Sequence, residues 1–142
     1  MTTSGMEALA DRLAETAHKG QRDKTGAPYI DHVRRVSAAV MPGEERVVAL
    51  LHDVLEKGGM TEEDLSAAGL PATIRAAVDA MTRRRGESDE AFVRRAAANE
   101  LALPVKKADL EDNLRQAWQA HLPTAKYEAG LNILRDALGG EW

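Results

Sequence analysis

Residues 44 to 57 read EERVVALLHDVLEK, and this stretch decides both the fold and the chemistry of the chain. The unbroken apolar run at residues 47 to 51 predicts a buried helix, which we expect to extend over the whole stretch. His52 and Asp53 follow that run directly. An unpaired carboxylate in an apolar setting is costly, so Asp53 needs a cation or a strong hydrogen-bond donor.

Composition limits the class of protein. The chain has 142 residues, of which 44% are hydrophobic, and this fits one compact domain over residues 1 to 142. Cysteine is absent, so a metal ion would have to be held by histidine and carboxylate side chains. The net charge of -4 argues against a general binder of nucleic-acid polymers. No stretch is long and apolar enough for a membrane span, and we expect a cytoplasmic protein.

The rest of the chain predicts further helices, because alanine, leucine, glutamate and arginine dominate it. A polar loop, QRDKTGAPY, occupies residues 21 to 29. The predicted helix boundaries are a capping box at Ser4 and Glu7, a second helix over about 31 to 40, N-caps at Thr61 and Ser88, and helix starts at Pro104 and Pro123. The predicted fold is a single all-α bundle of about seven to eight helices.

Histidine and aspartate residues in separate segments form a candidate metal site. His32, His52, Asp53 and Asp109 together offer two imidazoles and two carboxylates, a set that suits a divalent ion and leaves positions for water. Spacing alone fits a hydrogen-bonded His-Asp pair inside the core equally well. Asp112 lies near the helix face that carries Asp109, but spacing assigns it no ligand role.

Three segments then narrow the interpretation: AHKGQRDKTGAPYIDHVRRV at 17 to 36, VVALLHDVLEKGG at 47 to 59 and VKKADLEDNL at 105 to 114. In this order they resemble the HD superfamily of metal-dependent phosphohydrolases, and more narrowly the hydrolase domain of RelA/SpoT homologues and its small stand-alone relatives. The resemblance covers about residues 5 to 137 and implies an HD-type fold. It implies Mn²⁺ as the ion, with Fe²⁺, Zn²⁺ or Mg²⁺ as alternatives, bound by His32, His52, Asp53 and Asp109.

The same resemblance implies a reaction, the removal of pyrophosphate from the 3′ position of guanosine tetraphosphate or a related nucleotide. Glu56, one helical turn after His52, would orient or deprotonate the attacking water. Asn113, four residues after Asp109, is expected to contact the nucleotide side of the substrate. Lys24 matches a family lysine and is expected to hold phosphate oxygens.

Other polar residues carry weaker expectations. Arg22 and Thr25 lie in the polar loop and would also hold phosphate oxygens, although a solvated loop is the commoner meaning of such a stretch. Tyr127 would contact the substrate or simply pack a helix. We expect His18 to anchor the first helix beside the site and His121 to lie in a loop.

Two departures from the resembled pattern leave the substrate open. Lys57, which we count among the catalytic-site residues, stands where relatives carry an acidic residue. If that acid helps to deprotonate the water, its loss would slow the usual reaction. If Lys57 faces the pocket, it would instead bind a phosphate. Asp23 stands where many relatives carry a basic side chain, and its negative charge would weaken attraction to a pyrophosphate. An HD phosphohydrolase for another metabolite and a nucleotide-binding module without turnover therefore remain alternatives.

Overall fold

The computed structural model describes residues 2 to 140. Residues 1, 141 and 142 of the predicted domain lie outside the described range. The described part is all-α, as predicted, and its one isolated β-bridge joins Arg22 to Pro28 across the polar loop. No helix in this range is long and apolar enough to cross a membrane. The described helices are α1 (Thr3–Ala17), α2 (Tyr29–Ala38), α3 (Glu44–Leu51), α4 (Glu62–Ala67), α5 (Ala72–Ala80), α6 (Asp89–Ala97), α7 (Ala102–Gln119) and α8 (Ala125–Ala137).

Helix α3 lies at the centre of the bundle. It packs against α1, α2, α5 and α7, and its residues 47 to 51 are all buried. Burial of each large aliphatic side chain there contributes about 1.5–3 kcal/mol. The apolar run therefore places the residues that follow it, His52 and Asp53, inside the protein.

The prediction that this helix continues to Lys57 is wrong, because α3 ends at Leu51. In a continuing helix the carbonyl of Ala49 would accept the N–H of Asp53. Here that carbonyl accepts the Nδ1–H of His52 at 2.6 Å and the backbone N–H of His52 at 3.4 Å. The chain consequently proceeds through tight turns over residues 52 to 57.

Gly58 allows these turns to fold back against α1. A Cβ atom at this position would lie 2.7 Å from the carbonyl oxygen of Val54 and 2.8 Å from the Cβ of Ala17. Both neighbours are fixed atoms rather than the ends of flexible side chains. A glycine is therefore required where the site segment meets the first helix.

Two predicted N-caps are confirmed. Thr61 and Asp64 form a reciprocal capping box at the start of α4, and the Oγ of Ser88 accepts the backbone N–H of Ala91 at 3.1 Å. Such caps satisfy helix N–H groups that have no partner within the helix.

The predicted capping box at Ser4 is wrong. The N-cap is Thr2, whose Oγ1 accepts the backbone N–H of Gly5 at 2.9 Å. Glu7 instead accepts the backbone N–H of Gly43 at 2.6 Å, so its carboxylate joins α1 to the turn before α3.

The prediction that Pro104 opens a helix is also wrong by two residues. Helix α7 begins at Ala102, where the Oδ1 of Asn99 accepts the backbone N–H groups of Leu101 and Ala102 at 3.0 Å each. Pro104 lies within the first turn, where no intrahelical N–H bond is lost. Helices α2 and α8 likewise begin two residues from their predicted starts.

Candidate metal centre

The four predicted ligands converge at one buried point. His32 comes from α2, His52 and Asp53 from the turn after α3, and Asp109 from α7. One ligand atom from each lies within 4.8 Å of the others. The Nε2 of His52 is 3.0 Å from the Oδ2 of Asp53 and 3.3 Å from the Oδ1 of Asp109. The Nε2 of His32 is 3.2 Å from the same Oδ1 of Asp109.

Hydrogen bonds on the far side of each imidazole fix which nitrogen faces this point. The Nδ1 of His52 contacts the carbonyl of Ala49, and the Nδ1 of His32 contacts the Oδ2 of Asp112 at 2.6 Å. Both partners accept hydrogen bonds, so each Nδ1 carries the proton and each Nε2 is left with a lone pair. Both Nε2 atoms are buried without a hydrogen-bond partner among residues 2 to 140.

These orphaned atoms fit a divalent cation. Two lone pairs that face two carboxylates need either protons or a metal ion between them, and outward Nδ1–H bonds are usual for metal-binding histidines. Burial opposes ionisation of Asp109, yet the charges of Lys106 and His52 hold the pKa of its carboxyl well below the usual range. Burial likewise opposes protonation of His52, but Asp53 and Asp109 raise its pKa well above the ordinary value. The two carboxylates therefore favour a positive charge at the centre of the cluster, whether from protons or from a metal ion.

Tyr29 orients one of the carboxylates. Its hydroxyl donates a hydrogen bond to the Oδ2 of Asp53, and its ring lies 5.3 Å from that of His32 and 4.9 Å from that of His18. Burial and the charge of Asp53 raise the pKa of Tyr29, so the hydroxyl remains a donor. His18 thus packs beside the site, as expected.

A cavity opens beside the cluster. Its wall contains five cationic side chains and three carboxylates, although the whole chain is acidic. Such a wall attracts anions, and a divalent ion in the cluster would increase the attraction. The lining residues are Lys24, Tyr29, Asp53, Glu56, Lys57, Met81, Arg83, Phe92, Lys106, Asp109, Leu110, Asn113, Lys126 and Tyr127.

Three of the predicted substrate residues meet in this cavity. The Nζ of Lys24 donates to the Oδ1 of Asn113 at 2.5 Å and lies 5.2 Å from the ring centre of Tyr127. The Nδ2 of Asn113 donates to the backbone carbonyl and to the Oδ1 of Asp109, both at 2.9 Å. A substrate contact at Asn113 would therefore adjoin a candidate metal ligand directly.

Arg22 and Thr25 do not line this cavity. Arg22 donates to the carbonyl of Gly26 at 3.0 Å, and Thr25 donates through its hydroxyl and its backbone N–H to the Oδ1 of Asp23. The side chain of Asp23 is only 1% exposed and also accepts the N–H of Ala27. Asp23 therefore stabilises the loop, and the expectation that its charge weakens attraction to a pyrophosphate stays a prediction.

Glu56 and Lys57 both line the cavity from the turns that follow α3. The Oε1 of Glu56 accepts the backbone N–H of Arg83 at 3.3 Å. The Nζ of Lys57 lies 5.0 Å from the ring centre of Tyr29, within reach of a cation–π contact. The cation at position 57 thus faces the same space as the candidate ligand Asp53.

Sequence reasoning predicted no supporting role for two buried charged residues of α7. Lys106 is 6% exposed, and its Nζ lies 3.5 Å from the Oδ2 of Asp109 and 4.1 Å from the ring centre of Phe92. Asp112 is 3% exposed and bonds to His32. A signal was present, since Lys106, Asp109 and Asp112 recur every three residues and so share one helix face.

The comparisons with known proteins agree with this geometry. No family model matches the chain. A guanosine-3′,5′-bis(diphosphate) 3′-pyrophosphohydrolase of Vibrio cholerae is 41% identical over 73 residues, which cover 47% of this chain and 10% of that protein. The chain thus spans about a tenth of the length of this relative.

A solved structure gives a likeness over nearly the whole chain. It is described as a metazoan orthologue of SpoT that hydrolyses ppGpp, and it matches with a TM-score of 0.76 and 25% identity. The match covers 95% of this chain and 86% of that one. Together with the helical architecture and the buried His/Asp cluster, these similarities support a RelA/SpoT-like HD hydrolase domain.

Proposed function

We propose that this chain is a metal-dependent phosphohydrolase that removes the 3′-pyrophosphate of guanosine tetraphosphate or a related nucleotide. In this proposal one HD-type domain over residues 1 to 142 acts in the cytoplasm with Mn²⁺. The observation that carries the proposal is the buried cluster whose two histidine Nε2 atoms have no hydrogen-bond partner in residues 2 to 140, beside a cavity with a cationic wall. The proposed metal ligands are His32, His52, Asp53 and Asp109.

The ion would supply Lewis acidity, because it makes a water molecule acidic near neutral pH and neutralises charge on a phosphoryl oxygen. In the reaction the water oxygen bonds to the phosphorus attached to the 3′ oxygen, and the bond between that phosphorus and the 3′ oxygen breaks. The released pyrophosphate contains the water oxygen, and the 3′ oxygen departs with the nucleotide and takes up a proton. Glu56 lines the cavity and is proposed to accept the proton of the water. Lys57 is proposed to bind an oxygen of the pyrophosphate group.

The nucleotide side of the substrate is proposed to bind at Lys24, Asn113 and Tyr127. Their mutual contacts support this role, since the Nζ of Lys24 contacts the side chains of both Asn113 and Tyr127. Arg22 and Thr25 stay predictions without such support, because their side chains bond within the loop.

Release of pyrophosphate tests the proposal. Purified protein with Mn²⁺ and guanosine tetraphosphate is expected to release pyrophosphate, and a chelator or His52→Ala is expected to abolish the release. His121→Ala is the matched control, because His121 lies in the turn after α7 and outside the cavity lining. It should release pyrophosphate at the wild-type rate.

Two other outcomes would replace the proposed reaction. Lys57, which stands where the resembled family carries an acidic residue, favours two alternatives: an HD phosphohydrolase for another metabolite and a nucleotide-binding module without turnover. Metal-dependent hydrolysis of other phosphorylated metabolites, without release of pyrophosphate from guanosine tetraphosphate, would make the chain a different HD phosphohydrolase. Tight binding of guanosine tetraphosphate without hydrolysis of any phosphate compound would make it a nucleotide-binding module.

A further inference from the structure

Asp112 is the most extensively bonded buried carboxylate outside the four proposed ligands within residues 2 to 140. It lies on α7, one turn after Asp109, and is 3% exposed. Both of its carboxylate oxygens are engaged, so it bonds to protein groups and is unsuited to bind an ion itself. The donors to it are the side chains of His32, Arg35, Arg115 and Gln116.

The bond from His32 decides which nitrogen of that ring carries the proton. The Oδ2 of Asp112 accepts the Nδ1–H at 2.6 Å, which leaves the lone pair on Nε2, toward the cluster. The next polar neighbour of Nδ1 is the Nε2 of Gln116 at 3.1 Å, a donor. Without the carboxylate, this donor would favour a lone pair on Nδ1 and a proton on Nε2. A protonated Nε2 cannot bind a cation.

The same carboxylate connects His32 to the loop that carries Lys24. The Nε2 of Gln116 donates to the Oδ2 of Asp112 at 2.8 Å, and the Oε1 of Gln116 accepts the backbone N–H of Lys24 at 3.2 Å. The backbone of Lys24 is thereby joined to α7 near the proposed ligands. No other side chain in residues 2 to 140 hydrogen-bonds that N–H group.

We propose that Asp112 is a positioning residue with two effects. It fixes the His32 tautomer that offers Nε2 to a divalent ion, and through Gln116 it holds Lys24 at the cavity. The inference rests on the metal site of the proposed function. It predicts that the two effects can be separated. Substitution of Asp112 should disturb both metal binding and the Lys24 loop, whereas substitution of Gln116 should disturb mainly the loop.

The affinity for Mn²⁺ tests the first effect without any turnover. Asp112→Asn is expected to weaken Mn²⁺ binding about 10–100-fold, the usual effect of losing a bond to a metal-binding histidine. Free Mn²⁺ is measured by electron paramagnetic resonance during a titration. The matched control is Glu111→Gln, which removes the neighbouring carboxylate from the exposed face of α7 and should leave the affinity unchanged.

Hydrogen exchange of the Lys24 amide tests the second effect. Gln116→Leu is expected to accelerate exchange of this N–H, while its Mn²⁺ affinity falls by less than the change for Asp112→Asn. The N–H of Asp23, which bonds to the carbonyl of Ala27 within the loop, serves as the internal reference. Unchanged exchange at Lys24 would overturn the proposed link to the loop.

Nitrogen NMR of the metal-free wild-type protein, recorded in a chelator at a pH where the His32 ring is neutral, keeps the inference testable if Asp112→Asn does not fold. The His32 proton is expected on Nδ1, and a proton on Nε2 would overturn the inference. If the wild type does not take up Mn²⁺, the proposed function fails together with the inference. If the wild type binds Mn²⁺ and a folded Asp112→Asn binds it equally well, the inference alone fails.

Discussion

Replacement of Tyr29 with phenylalanine removes one hydroxyl and keeps the ring, so it isolates the hydrogen bond to Asp53. Tyr29 is 9% exposed, and its acceptor is a buried carboxylate. A hydrogen bond to a charged group contributes about 1.5–3 kcal/mol to the free energy of unfolding. Because the ring remains, Tyr29→Phe creates almost no cavity, and this range is the whole expected loss.

The loss is measured by urea unfolding of the metal-free protein in the presence of a chelator. A chain of this size should lose roughly 4 °C in Tm for each kcal/mol. The affinity for Mn²⁺ should also fall by about tenfold or more, because a ligating carboxylate is oriented by its own hydrogen bonds.

Tyr127→Phe is the matched control. The hydroxyl of Tyr127 has no hydrogen-bond partner among residues 2 to 140, so its removal should change the unfolding free energy by less than about 0.5 kcal/mol. Equal stability of Tyr29→Phe and Tyr127→Phe would refute the view that Tyr29 supports Asp53.

Further predictions concern the fold and the reaction. Gly58→Ala should lower the unfolding free energy by about 1–3 kcal/mol, because the new methyl group meets fixed atoms. Gly130→Ala is the control and should lower it less, because its methyl group meets only a flexible leucine side chain. A larger loss at Gly130 than at Gly58 would contradict this reasoning. Glu87→Gln should destabilise the protein at neutral pH, since a fork of hydrogen bonds from Arg95 lowers the pKa of Glu87 to about 2. That difference should shrink from about pH 4.5 downward and vanish below pH 2, so a constant difference between pH 7 and pH 2 in urea unfolding would contradict it. Lys57→Asp should lower pyrophosphate release from guanosine tetraphosphate, because it removes the proposed contact with the pyrophosphate group, and an unchanged or higher rate would contradict that contact.

Much of the fold followed from local patterns in the sequence. The apolar run before His52 predicted the central helix, and Thr61 and Ser88 predicted helix starts through their own side-chain bonds. The end of the central helix did not follow, because the His52 side chain takes the carbonyl of Ala49 that would have continued it. Periodicity cannot reveal a competition between a side chain and the backbone.

The convergence of the four ligands was predicted from the family pattern, whereas the residues that support them were not. Asp112 bonds to His32, 80 positions away, and Tyr29 bonds to Asp53, 24 positions away. Such pairs depend on how α2, α3 and α7 pack, and a single sequence contains no direct record of that packing. The bonds of Asp23 inside the loop were not predicted for a related reason, since they depend on how the N–H groups of Thr25 and Ala27 are placed by the loop's fold.

The most direct test of the metal site is a crystal structure of the protein grown with Mn²⁺, with diffraction recorded on both sides of the manganese absorption edge. The account predicts one strong anomalous peak per chain, within bonding distance of the Nε2 atoms of His32 and His52 and of the carboxylates of Asp53 and Asp109. A peak at another site, or no peak in the cluster at saturating Mn²⁺, would contradict it.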